Sequence, residues 1–285
     1  MRVALLVVAL AVTSVATRAA APADPARFVP DMQVRVFAMC PDGASVAVRG
    51  DKEVLVVDWP GGRTRPPTTE SELPPCAAEA LGFSPDGRLY ARTSANGTIT
   101  ILDAATRATR HTLSGHIGTV GAVAFSPDGR WLASGGLDND VRLWDVSVGT
   151  CARTLTLPSH ATFAVAWAPD GRTLYTAGAS RTVIAWNVAT GDRVRESSSL
   201  GQPIRTLSIS ADGARLLAGT FSAEGTSLPA DLRVLDAATF AQQEVIPSPD
   251  GGAVSAAFSP DGRQILWASA GGRGIMVTTL DHRQQ

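Results

Sequence analysis

His116, Ser134 and Asp138 are the residue types of a hydrolytic triad, in which an imidazole activates a hydroxyl and a carboxylate orients the imidazole. A serine nucleophile also needs a turn that presents its hydroxyl, and the chain has no Gly-x-Ser-x-Gly elbow or comparable setting. The four histidines, His111, His116, His160 and His282, form no HExxH or similar pair, so a metal centre is not indicated. Cys40, Cys76 and Cys151 lack metal-ligand spacing; their odd number leaves at least one unpaired, and they read as small buried or half-buried residues. The aspartates of several repeated turns could suggest calcium. Each, however, is followed by Gly and most are preceded by Pro, which is what the turn alone demands. Asn96-Gly97-Thr98 is a glycosylation sequon and equally a hairpin turn, and the turn is the simpler reading. No catalytic group, cofactor or metal follows from these residues.

The elements that carry them are short strands. In residues 115–145, Ala122 and Ala124 alternate with Val123 and Phe125 at the period of a strand. Ser126-Pro127-Asp128-Gly129 then makes a turn: Pro fixes φ at its second position and Gly supplies φ > 0 at its fourth. Residues 131–134 and 140–145 read as second and third strands of an antiparallel meander. The turn recurs as Cys40-Pro41-Asp42-Gly43, Ser84-Pro85-Asp86-Gly87, Ala168-Pro169-Asp170-Gly171, Ser210-Ala211-Asp212-Gly213 and Ser259-Pro260-Asp261-Gly262. The six glycines are 44, 42, 42, 42 and 49 residues apart. A period in the low forties predicts a β-propeller of four-stranded blades, the long last interval reflecting an insertion at 221–231. Before each turn stands a large residue (Met39, Phe83, Phe125, Trp167, Ile209, Phe258), preceded by a small one (Ala38, Gly82, Ala124, Ala166, Ser208, Ala257).

The third strands end in Val57-Asp58, Leu102-Asp103, Trp144-Asp145, Trp186-Asn187, Leu235-Asp236 and Leu280-Asp281. With Gly115-His116 ahead of Trp144-Asp145, the chain resembles the WD-repeat (WD40) family of β-propellers over about residues 26–285. The Gly-His and Trp-Asp landmarks are complete only in the third unit. The resemblance implies a structural tetrad running from Trp144 to Ser134 to His116 to Asp138, which gives the His-Ser-Asp set a structural rather than a catalytic role. A partial tetrad of His160, Thr176 and Trp186 is implied in the fourth unit, with Ser180 standing where Asp138 would be. The resemblance also implies a non-catalytic scaffold for a protein or peptide.

Residues 1–23 read as a secretory signal peptide: Arg2, then an uncharged apolar run to Ala16 too short for a comfortable membrane span, with cleavage after Ala16 or Ala23. The alternative is an uncleaved anchor. Cleavage leaves a secreted or periplasmic domain, residues 24–285, with no stable membrane span. Net charge is −1, with no basic excess to suggest nucleic acid. The expected architecture is all-β: a single propeller of six four-stranded blades. Since little chain follows Asp281, residues 26–29 are expected to supply the last outer strand and close the ring. A seven-bladed-like or incomplete ring is the alternative.

The binding face is sought five residues before each turn, at Arg35, Glu79, Gly121, Phe163, Arg205 and Val254. Arg181, in a hairpin turn, and the insertion at 221–231 should share it. Arg and aromatic side chains there are candidate anchors. The other functional reading is a propeller enzyme or small-ligand binder using the central channel.

Overall fold

A computed structural model describes residues 34–39, 45–50, 54–58, 64–65, 81–94, 96–157, 160–222, 230–248, 251–270 and 275–280. The turn chemistry organises the strands. Ser84 Oγ donates to Asp86 Oδ1 (2.6 Å) and accepts the Leu89 N–H (2.9 Å), while the Gly87 N–H closes on the Ser84 carbonyl (2.9 Å). Ser126, Ser210 and Ser259 repeat the arrangement. Ala168 has no hydroxyl, and Asp170 instead accepts the N–H groups of Arg172 and Thr173. The turn glycines 87, 129, 171, 213 and 262 have φ between 67° and 74°, the left-handed region where a side chain is strained.

Each turn sends the chain back against itself, and the described residues form six sheets. Sheet 1 is β1–β4 (Val34–Met39, Ser45–Gly50, Val54–Asp58, Thr64–Arg65). Sheet 2 is β5–β8 (Leu81–Phe83, Leu89–Thr93, Ile99–Asp103, Thr109–Leu113). Sheet 3 is β9–β12 (Val120–Phe125, Trp131–Gly136, Asp140–Asp145, Thr150–Thr156). Sheet 4 is β13–β16 (Thr162–Trp167, Thr173–Gly178, Val183–Asn187, Arg193–Glu196). Sheet 5 is β17–β20 (Ile204–Ile209, Arg215–Thr220, Asp231–Asp236, Gln242–Pro247). Sheet 6 is β21–β23 (Ala253–Phe258, Gln264–Ser269, Met276–Thr279). Every sheet is an antiparallel meander in sequence order.

Phe125, Trp167, Ile209 and Phe258, the large residues before four of the turns, belong to clusters that join neighbouring sheets. Trp167 is buried and its indole N–H donates across the gap to the Ala124 carbonyl (3.0 Å). At Gly82 a Cβ would lie 3.2 Å from the Val123 carbonyl oxygen, so the small position lets the next inner strand approach. The third strands end in a second recurring turn. Asp103, Asp145, Asn187 and Asp236 accept backbone N–H groups two residues on. Four residues on, Arg107, Gly149, Gly191 and Phe240 take positive φ. The acidic or amide side chain thus closes the turn locally.

The expectation of a closed six-bladed ring is corrected. Inner strands pack in the order β5, β9, β13, β17, β21, β1. Hydrophobic clusters correspondingly join sheets 2 and 3, sheets 3 to 5, sheets 5 and 6, and sheets 6 and 1. Among the described residues no comparable packing joins β1 to β5, and the sheets form an open row. The repeated turns fix each sheet locally, through hydrogen bonds within a few residues, and do not require the two end sheets to meet. Sheet 6 has three strands among the described residues, not four. The signal peptide at 1–23, the proposed closing segment 26–29, Glu79, Cys40, Cys76 and His282 lie outside the described residues. Cys151 is exposed rather than buried, because it sits on the outermost strand, β12, of its sheet.

Candidate functional site

Two arrangements gather polar chemistry. The first is inside sheet 3. The Trp144 indole N–H donates to Ser134 Oγ (2.8 Å), Ser134 Oγ lies 2.7 Å from His116 Nε2, and His116 Nδ1 lies 2.9 Å from Asp138 Oδ1. A carboxylate can only accept, so Nδ1 carries the imidazole proton, Nε2 accepts from Ser134, and the Ser134 oxygen is left to accept from the indole. Gly136 makes room, since a Cβ there would collide with the Asp138 carboxylate and the His116 ring. Ser134 is fully buried, so its hydroxyl is not available to a substrate. In sheet 4 the Trp186 indole donates to Thr176 Oγ1 (2.8 Å), and His160 is exposed.

Burial pushes the His116 imidazole below its ordinary 6.5, with the Asp138 hydrogen bond opposing. Burial would raise Asp138, but the Ile117 N–H and His116 outweigh it and hold the carboxyl below 3.8. Both folded values are depressed, so this stability is complete above about pH 6.5 and falls with pH, first through His116 and below 3.8 through Asp138. The wild type is therefore expected to lose stability on going from about pH 7.5 to about pH 5, read by urea unfolding. A His116→Gln variant should show a flatter dependence over that range; equal slopes would refute the assignment.

The second arrangement is at the end where inner strands begin. Arg35, Gly121, Phe163, Arg205 and Val254 are each the extra residue of a β-bulge, lying between Val34 and Val36, Val120 and Ala122, Thr162 and Ala164, Ile204 and Thr206, and Ala253 and Ser255. A bulge leaves one residue unpaired and re-aims its side chain. In sheets 4 and 5 two of these residues converge on a third. The rings of Phe163 and Phe221 are 6.2 Å apart, and the Arg205 guanidinium lies 5.4 Å from the Phe221 ring centre.

Phe221 opens the insertion of sheet 5 and is held from both sides. Phe221 pairs with Gly252 across the gap to sheet 6. Thr220 Oγ1, buried, accepts the Asp231 N–H (2.8 Å), and Arg233 grips the Asp231 carboxylate through two nitrogens, both at 3.0 Å. Arg181, exposed with φ 65°, sits in the β14–β15 turn at the same end. Its carbonyl accepts the Leu200 N–H (2.8 Å) from the segment leading into β17. Ile117, 82 % exposed, caps the corresponding loop of sheet 3. Sequence reasoning placed the insertion on this face but did not single out Phe221; its signal was an aromatic residue directly after the second strand. Among the described residues no group of three or more His, Cys, Asp or Glu is arranged to hold a metal ion.

No curated protein matches the chain. The family model described as WD domain, G-beta repeat matches residues 107–145 and 149–187. Each match begins at the outer strand of one sheet and ends on the third strand of the next, covering β8–β11 and then β12–β15. The middle of the chain is thus similar to two WD-type repeats, and the matched segments carry the Trp144 and Trp186 hydrogen bonds.

Proposed function

We propose that this protein is an exported, non-catalytic scaffold that binds a protein or peptide on the end of sheets 4 and 5 where Phe163, Arg205 and Phe221 meet. The observation that carries the reading is the convergence of two bulge residues on Phe221. Bulges re-aim side chains at a cost in pairing; Phe163 is buried and backs the half-buried Phe221 and Arg205, and aromatic and arginine side chains fixed against one another are common anchors of interfaces. The guanidinium over the ring adds a cation–π attraction that pre-orders the pair. WD-type repeats are typically non-catalytic, which agrees with a binding role. The export element rests on the apolar run that follows Arg2. No helix among the described residues is long and apolar enough to cross a membrane.

The test is affinity capture from the exported fraction of the source cell, with the mature chain as bait. An Arg205→Glu/Phe221→Ser double variant, shown by its melting curve to be folded, is the control. A partner held by the wild type and weakened at least about tenfold by the variant is the expected result. Equal retention by both baits, or no enriched protein, would overturn the reading.

A further inference from the structure

The opposite end of the sheets, where the Asp-Gly turns lie, holds two grooves in equivalent places. One, of about 460 Å³, lies between sheets 3 and 4 and is lined by Trp131, Leu143, Arg153 and Val188. The other, of about 590 Å³, lies between sheets 2 and 3 and is floored by Leu89, Ala104 and Val146. The difference comes from one register position. Arg153 pairs with Leu143 in sheet 3, and His111 pairs with Ile101 at the same place in sheet 2. Arg153 reaches to the next sheet and donates to the carbonyls of Ala189 (2.9 Å) and Thr190 (2.6 Å), so its charge is spent on that turn. His111 is shorter, rests against Gly149 and leaves its groove more open.

We propose that the groove between sheets 2 and 3 binds a small organic anion, with its apolar body on Leu89, Ala104 and Val146 and its carboxylate or phosphate head among Arg88, Arg130 and His111. The charges at the mouth are unequally committed. Asp103 accepts from the Thr106 N–H (2.9 Å), the Thr106 hydroxyl (2.9 Å) and Arg110 (3.0 Å). Asp86 accepts from the Ser84 hydroxyl and the Arg88 N–H (3.0 Å). Asp103 is thus engaged by its own turn and by Arg110, and Asp86 through Oδ1 by its own turn. Arg88 has only a 3.9 Å contact with Asp86, and its side chain is 85 % exposed. The Arg130 guanidinium lies over Trp131, 5.0 Å from the ring centre, and among the described residues it makes no hydrogen bond. These two arginines follow the turn glycines of adjacent sheets. A Cβ on Gly129 would lie 3.8 Å from Pro85 Cδ, so the turns that carry them stand side by side. Planar guanidinium groups at the rim of an apolar cleft suit an oxyanion head, which they can bind through paired N–H groups. A cleft of several hundred Å³ suits a small organic body.

The experiment is calorimetric titration of the mature chain with phenyl phosphate, benzoate and neutral benzyl alcohol as probes. Saturable binding of one equivalent of phenyl phosphate or benzoate, without benzyl alcohol binding, is expected; whichever anion binds more tightly identifies the head. Arg130→Glu is expected to weaken binding about tenfold or more. His111→Arg places the neighbouring groove's residue in this one. It is expected to keep the melting temperature and abolish binding by filling the space. Absence of saturable binding by either anion would overturn the proposal. So would tighter binding by His111→Arg, which is the result of diffuse charge attraction rather than an occupied groove.

Discussion

Replacing Trp144 with alanine is expected to lower the unfolding free energy by about 3–5 kcal/mol. Its indole is 2 % exposed and belongs to the cluster that joins sheets 2 and 3, alongside Ile101, Leu113, Val123 and Leu132. Truncation opens a cavity at that joint and also removes the donor to Ser134. Trp144→Phe separates the two effects. It keeps much of the apolar volume and withdraws only the N–H, for an expected loss of about 1–3 kcal/mol. Ser134→Ala in the Trp144→Phe background should then cost less than Ser134→Ala alone, because neighbours in one hydrogen-bonded chain are not additive. Urea unfolding of the four variants beside the wild type reads all of this. A Trp144→Ala loss below about 1 kcal/mol would mean that packing elsewhere holds sheet 3.

Gly252→Ala is expected to destabilise by about 2–4 kcal/mol and to weaken partner capture together with it. Gly252 has φ 103°, where a Cβ is strained. The added carbon would also run into the Thr220 carbonyl and come within 2.5 Å of Phe221 Cα and 2.8 Å of Ala230 Cβ. Backbone atoms cannot swing aside, so the pairing of Gly252 with Phe221 must shift. Phe221 would then move away from Phe163 and Arg205. Gly201 is the matched control: its φ is 86°, but nothing lies within 4 Å of a Cβ built there. Gly201→Ala should show the backbone penalty of about 1–2 kcal/mol without loss of capture. Equal capture by wild type and Gly252→Ala, at temperatures where both are folded, would detach Phe221 from the binding site.

What could be read from the sequence is what short-range chemistry decides. The Ser-Pro-Asp-Gly turns are closed by hydrogen bonds spanning at most 5 residues, and each fixes the register of its two strands. Counting back from such a turn therefore reaches a definite place: Arg35, Gly121, Phe163, Arg205 and Val254 coincide with bulges, while Glu79 lies outside the described residues. The bulge itself was invisible, since nothing in Phe163 or Arg205 marks an unpaired residue. Closure of the ring was misread because it depends on surfaces far apart in the chain. The repeated turn at Ser84 is complete, yet such a turn fixes only the register of its own two strands and says nothing of whether sheet 1 and sheet 2 meet. Phe221 and the groove beside His111 escaped for a related reason. Each is defined by what the adjacent sheet presents, and the repeat pattern describes one sheet at a time.

The open row has a thermal consequence. Among the described residues sheets 3 to 6 each have two packed neighbours, while sheets 1 and 2 have one apiece. Stability in such an array is a sum of unit and nearest-neighbour contributions, as along a short one-dimensional lattice. Heat should therefore fray the domain from its two flanking sheets inward. Amide exchange would be slowest in sheet 4 and sheet 5, the sheets that carry Phe163, Arg205 and Phe221. Such a fold would keep the residues proposed as anchors on its most slowly melting segment while its ends are already loosening.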